Sequence, residues 1–135
     1  MIKFEDLHVG DYVMTHLDGT DEVGKVVELN HANKQTAVDN GVQVFWYEKE
    51  DLSPITLSDS ILTNDLKFTK TINDDGSVKY MKGAFRAMIP AEGDFSTMEI
   101  WYRDEKRHIK HQISVHEFQN HFRDMTKIDL DVTSY

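Results

Sequence analysis

The sequence predicts an α+β protein in two parts, on three observations. Residues 1–52 hold short runs of Val, Tyr, Phe and Trp broken by Asp-Gly and Asn-Gly turns. Residues 53–135 mix further strand-like runs with two stretches whose apolar residues recur at helical spacing. At 135 residues, with 39% hydrophobic and 10% aromatic content, the chain suits one compact domain or two very small modules sharing a core.

The opening Phe4–Val9 segment reads as a short turn that delivers the chain into a strand at 12–15. Leu17-Asp18-Gly19-Thr20 is a tight reversal of the Asp-Gly type. Residues 24–29, rich in Val, suit a second strand, and Asn30-His31-Ala32-Asn33-Lys34 reverses the chain into a third over 35–38. Asp39-Asn40-Gly41 turns it again into a fourth over 42–47. There, alternation sets Val42, Val44 and Trp46 on one face and Gln43, Phe45 and Tyr47 on the other. Several short strands with regular Gly/Asn turns are the pattern of a small curved sheet, so residues 1–52 are read as an SH3-like barrel. Ser53-Pro54-Ile55 is the expected seam, because proline lacks the N–H a ladder needs.

In the second part Ser58 caps a short helix from Asp59 to about Leu66, with Ile61, Leu62 and Leu66 on its buried side. Strands over 68–72 and 78–81 flank the hairpin turn Asn73-Asp74-Asp75-Gly76-Ser77. Residues 84–89 continue the sheet, and a last hairpin joins 95–102 to 109–113 around Arg103-Asp104-Glu105-Lys106-Arg107. Ser114-Val115-His116-Glu117 is a capping box that opens the clearest helix of the chain. Val115, Phe118, Phe122 and Met125 form its apolar stripe, and Lys127 suits its negative end. The tail 129–135 is expected to fray. The whole of 53–135 is read as an α-β-β-β-β-α module, an antiparallel sheet with a helix on one face.

Composition removes several classes of function. Cysteine is absent, which excludes disulfides, thiolate nucleophiles and Cys-based zinc or iron–sulfur sites. No apolar run approaches the ~20 residues of a membrane span. The acidic start Met1-Ile2-Lys3-Phe4-Glu5-Asp6 lacks the apolar stretch of a signal peptide, so a cytoplasmic chain is expected. Twenty-four acidic against fifteen basic residues give a formal charge of −9. Residues 1–52 carry eleven acidic residues and only four Lys, while 53–135 carry thirteen acidic and eleven basic. That balance repels phosphate backbones and makes nucleic acid an unfavoured partner.

The sequence assigns no catalytic residue, metal or cofactor. His116-Glu117-Phe118-Gln119-Asn120-His121 resembles the zinc-protease spacing His-Glu-x-x-His, but the second histidine comes five residues on, about 140° around a regular helix. Four of seven histidines fall between 108 and 121, so a metal-assisted hydrolase would draw on His116, Glu117 and one of His108, His111 or His121. Asp74-Asp75-Gly76 lacks the distal Glu of a calcium loop and is better read as a turn. Lys67, Lys70, Lys79, Lys82 and Arg86, with Tyr80 and Phe85, are the candidate nucleic-acid platform, which requires exposed rings beside the cations. Trp46, Tyr47, Trp101 and Tyr102 are expected to serve the core, although an SH3-like barrel can also turn surface aromatics towards proline-rich peptides.

Ser53-Pro54-Ile55-Thr56-Leu57-Ser58-Asp59-Ser60-Ile61-Leu62, then Leu66-Lys67-Phe68, then Ile113 to Asn120 form a further pattern. Over roughly residues 50–130 it resembles small uncharacterised proteins of Bacteroidetes and their phages, which end in a Val-His-Glu-Leu-Gln helix. Here Phe118 replaces the leucine, and Leu66-Lys67-Phe68 stands where Gly-Phe is usual. The resemblance implies a phage, prophage or mobile-element setting and carries no mechanism. A non-enzymatic protein-binding module is therefore the expected function. Its partner is expected to meet either the acidic barrel or the polar helix face of His116, Asn120 and Arg123.

Overall fold

The computed structural model describes residues 2–132. It contains two antiparallel five-stranded sheets and a closing helix, a mixed α+β architecture. Among the described residues no helix is long and apolar enough to cross a membrane.

A one-turn 3-10 helix, Phe4–Asp6, precedes the first sheet. Its strands are β1 (Tyr12–Leu17), β2 (Thr20–Asn30), β3 (Gln35–Asp39), β4 (Val44–Tyr47) and β5 (Leu52–Ser53), in the order β4-β3-β2-β1-β5. The expected Asp18-Gly19 reversal joins β1 to β2, with Leu17 opposite Thr20. A bulge between Val26 and Glu28 bends β2 against β3. The sheet does not close into a barrel: among the described residues β4 pairs only with β3, and β5 only with β1. β5 is two residues long because Pro54 follows it, leaving nothing to reach the far edge. β4 starts at Val44 rather than Val42, since Asn40 Oδ1 accepts the N–H groups of Val42 and Gln43 at 2.9 and 3.0 Å and holds them in a turn.

The second sheet comprises β6 (Thr69–Ile72), β7 (Val78–Lys82), β8 (Phe85–Ile89), β9 (Met98–Tyr102) and β10 (Glu105–Ile109), in the meander order β10-β9-β8-β7-β6. It has five strands rather than the four of the expected α-β-β-β-β-α outline. Gly83, at φ 60°, turns the chain between Lys82 and Phe85, so that the segments expected over 78–81 and 84–89 pair as two strands of a hairpin. The last hairpin is also tighter than expected. Arg103 adopts φ 56°, Tyr102 pairs with Glu105, and the strand runs over Glu105–Ile109 instead of 109–113. A left-handed arginine is not something a pattern of turn formers announces.

Helix α1 (Val115–Thr126) opens with the expected capping box. Glu117 N–H donates to Ser114 Oγ at 3.4 Å, and Ser114 N–H donates to Glu117 Oε1 at 3.1 Å. Val115, Phe118, Phe122 and Met125 are buried on the second sheet, where Phe85 meets Phe122 at 4.7 Å and Phe118 at 5.8 Å between ring centres. The short helix after Ser58 is real, but its ring at Ile61–Asp65 is π rather than α, with Leu66 N–H bonded to Ile61 O. Thr63 Oγ1 donates to Asp59 O at 2.9 Å and so competes for the carbonyl that an α-helical N–H of the same residue takes. Leu62 and Leu66 are nevertheless fully buried. Over its described part the tail is packed, with Leu130 buried and Val132 against the core, while residues 133–135 lie outside the described residues.

Successive residues of β1 divide between two cores. Val13 joins Ile2, Leu7, Val26, Val38, Tyr47 and Leu52 inside the first sheet, whereas Tyr12 joins the larger core of the second sheet and α1. Ahead of the β5 pairing, the backbone on the outer side of β1 meets a side chain, not a strand. Gln119 Oε1 accepts Tyr12 N–H at 2.8 Å, and its Nε2 donates to Gly10 O at 2.9 Å and Leu130 O at 2.8 Å. The carboxamide replaces a peptide group of a neighbouring strand and is completely buried. Gln119→Leu strands two buried backbone groups and a partly buried one, so urea unfolding should show a loss of about 3 kcal/mol. Gln112→Leu, at an exposed position, should stay within about 0.5 kcal/mol.

Candidate functional site

The helix face proposed from the sequence is where the two halves of the chain meet. Capping fixes the start of α1, and helical periodicity then sets His116, Asn120 and Arg123 towards the 3-10 turn and the loop that leads into β1. Between them lies an open groove of about 580 Å³, lined by Asp6, His8, Arg107 and His121 as well as these three residues.

Each of the three is engaged within the molecule. Asn120 Nδ2 donates to Asp6 O at 3.2 Å and lies 3.4 Å from Asp11 Oδ2. Arg123 donates to Asn120 Oδ1 at 2.9 Å, Asp129 Oδ1 at 2.8 Å and Val9 O at 3.2 Å, and lies 3.5 Å from Asp11 Oδ1. His116 is 95% buried, with Nδ1 3.1 Å from Ser114 Oγ. The Ser114 hydroxyl donates to Glu117 Oε1 at 2.8 Å, so the network assigns the shared proton of the Ser114–His116 contact to Nδ1. Burial holds the His116 imidazole below its ordinary value, leaving a neutral ring whose Nε2 is an acceptor.

Asp11 is the buried anion of this joint. Burial pushes its carboxyl up to about 6, against the lowering effects of the His8 N–H bond at 2.8 Å, the Arg123 charge and the Asn120 amide. Glu117 goes the other way. Burial opposes its ionisation, yet His111 Nε2 at 3.0 Å and the Ser114 hydroxyl and N–H together hold it below its usual value.

The histidines of 108–121 are not brought to one point. His111 is on Glu117 and His116 on Ser114, while His121 Nδ1 accepts from Arg107 at 2.9 Å. His108 stands on β10 opposite Glu99. Burial and then the Arg107 charge lower the pKa of His121. Among the described residues no three His, Asp or Glu side chains form a group able to hold a metal ion.

The lysine-bearing sheet lacks the platform that stacking needs. Tyr80 and Phe85 are fully buried. Lys70 bonds Asp59 and Glu92, each at 2.9 Å, Lys82 Nζ donates to Leu66 O at 2.7 Å, and Arg86 lies over Trp101. Asp74-Asp75-Gly76 is a turn in which Asp75 Oδ1 accepts Ser77 N–H and Oγ–H.

A second candidate surface comes from the aromatic residues expected to be core. Tyr47 is buried, Trp101 and Tyr102 are half-buried, but Trp46 is 46% exposed. It sits in β4 with Val44 at 51% and Phe45 at 39% exposed, at the free edge of the acidic sheet. Asn40 N–H bonds Gln43 O, and β3 and β4 then pair Val38 with Phe45 and Thr36 with Tyr47. In an antiparallel ladder the alternate residues turn outward, so the N–H and C=O groups of Val44 and Trp46 face away from β3. Sequence alternation identified the strand; being the edge depends on the order of the sheet, which no local pattern carries. Gln119 left one signal, a polar residue between Val115, Phe118 and Phe122 on an otherwise apolar stripe.

No protein-family model, curated protein or solved structure matches this chain.

Asp11 generates a pH prediction. A carboxyl raised from 3.8 to about 6 by folding takes up a proton as the chain folds between those values. Its contribution to stability is therefore fullest below pH ~4, declines as pH rises through about 6 and is level above that. The stability of wild type minus that of Asp11→Asn, from urea unfolding at each pH, should fall across this window. A difference that rises with pH contradicts the burial-dominated assignment.

Proposed function

We propose that this protein is a non-enzymatic protein-binding module, from a phage, prophage or other mobile element, that meets its partner through β4. The observation that carries this reading is the exposure of Val44, Phe45 and Trp46 on a strand with one side unpaired among the described residues. Such an edge has outward backbone donors and acceptors beside apolar side chains, and sheets without a use for it normally blunt it with charge or proline. Of the two surfaces expected from the sequence, the acidic sheet is favoured over the helix face. The polar groups of His116, Asn120 and Arg123 already bond the chain's own backbone and side chains.

The first sheet is read as an open SH3-like unit. Its strand order β4-β3-β2-β1-β5 and the 3-10 turn Lys49–Asp51 leading into β5 support that reading. The second sheet and α1 then act as a base that fixes the orientation of the acidic sheet.

The test compares affinity capture from lysate of the organism carrying the gene, using wild type and Trp46→Lys. Trp46 is half exposed, so the variant should fold with an unchanged urea midpoint. The reading expects a protein retained by wild type to fall by at least about tenfold on Trp46→Lys, the loss of about 1.4 kcal/mol of binding. Retention unaffected by Trp46→Lys but abolished by Asn120→Ala would place contact on the helix face instead.

A further inference from the structure

We infer that the occupant of the β4 edge is an extended segment of another protein, with apolar residues at alternate positions and Lys or Arg between and beside them, added as a sixth strand. This rests on the reading of β4 as the contact surface and names the chemistry of what binds there.

The backbone parity sets the geometry. Val44 and Trp46 offer outward N–H and C=O groups two residues apart, the spacing at which an added strand exchanges its bonds. Their side chains share one face of the sheet. Next to Trp46 on that face is Ala37, which is buried, while the indole presents an exposed apolar surface. Residues of an incoming strand directly opposite Val44 and Trp46 fall on this same face and meet apolar surface. Those between them fall on the other face, beside Phe45. An alternating segment fits both.

Charge selects among alternating segments. Glu22 reaches the Asn40 loop at one end of β4, with Nδ2 of Asn40 2.6 Å from its carboxylate. Glu48 and Glu50 follow β4 at the other end, both exposed, and outnumber the exposed Lys49 between them. Two cations of the first part already have carboxylate neighbours: Lys25 is 3.7 Å from Asp131, and Lys34 is 3.4 Å from Glu5. The eleven acidic residues and four Lys of 1–52 therefore give the edge a negative surround. A second copy pairing β4 with β4 would set that charge against itself, whereas a basic segment is attracted and guided by it.

The experiment selects an unbiased displayed library of short peptides on the immobilised full chain at low salt, then measures the enriched peptides by titration calorimetry and, in a Trp101→Phe chain, by Trp46 fluorescence. The inference expects alternating apolar and basic sequences and a blue shift of the Trp46 emission. It also expects at least about tenfold weaker binding on raising salt to roughly 0.5 M. Val44→Pro removes an outward N–H without removing a β3–β4 bond, and it should weaken binding by a similar factor. Circular dichroism and the urea midpoint establish that this variant is folded. Trp46→Ala provides a second loss that does not alter the backbone.

Enrichment of acidic, helical or non-alternating peptides overturns the inference, as does binding indifferent to both substitutions. A dimer in sedimentation equilibrium that Val44→Pro dissociates overturns it in favour of a second copy. If Trp46→Lys loses its cellular partner while the library yields no basic extended sequences, the contact surface stands and this choice of occupant falls.

Discussion

A single carboxamide, that of Gln119, holds the architecture at the point where its two halves could otherwise part. β1 has β2 along one side, but on the other side β5 covers only Met14 and Thr15. At Gly10 and Tyr12 the vacant ladder position is filled by the Gln119 side chain, which accepts and donates as a peptide group would. Its second donor hydrogen reaches Leu130 O and draws the segment after α1 into the same joint. Buried backbone groups left without partners are expensive, so the helix position and the strand position specify each other. Val13 and Tyr12, pointing to opposite faces, then anchor the strand in both cores.

The polar groups around that joint have the composition of an active site and the bonding of a fastening. Arg123 binds the Val9 carbonyl, Asp129 and Asn120 and lies beside Asp11, and Asn120 also binds the Asp6 carbonyl. Asp11 illustrates the balance of forces. The His8 N–H, the Arg123 charge and the Asn120 amide all favour its ionised form, and burial still outweighs them. A buried ion pair of this kind contributes more to the choice of one arrangement than to raw stability, because desolvation offsets most of the attraction. The groove beside it keeps His116 neutral for the same reason. The free surface is elsewhere, along β4, where rigid support of the first sheet makes an unpaired edge available without loosening the fold.

Much of the fold was legible in the sequence because it rests on local chemistry. The Ser114–Glu117 capping box, the Val115–Phe118–Phe122–Met125 stripe and the Asp18-Gly19 and Asp75-Gly76 turns are set by residues within a few positions of one another. The misreadings occur where the deciding contact is distant or the conformation unusual for its residue. Arg103 at positive φ tightens a hairpin that Gly or Asn would have announced, whereas at Gly83 the inward positions shift from Val78 and Tyr80 to Phe85 and Ala87, a change of phase that marks the turn. The closed barrel failed on length, since two residues of β5 cannot bridge to β4. Of the candidate site, His116, Asn120 and Arg123 line one groove, as their helical spacing implies. The engagement of Asn120 and Arg123 by Asp6, Val9 and Asp11, more than one hundred residues earlier, depends on tertiary packing and leaves no periodic trace. The Trp46 exposure has the same cause: inward and outward strand faces are symmetric until the core chooses between them.

The central claim is that Gln119 makes the first sheet and the helix one cooperative unit. Native-state hydrogen exchange at the Tyr12 amide tests it most directly, since on the outer side of β1 that N–H donates to the Gln119 side chain. The account predicts that Tyr12 exchanges only with global opening, at the same free energy and with the same denaturant dependence as Phe118 in α1 and Tyr80 in β7. Exchange of Tyr12 through a separate, lower-energy opening, while Phe118 and Tyr80 stay protected, would contradict it.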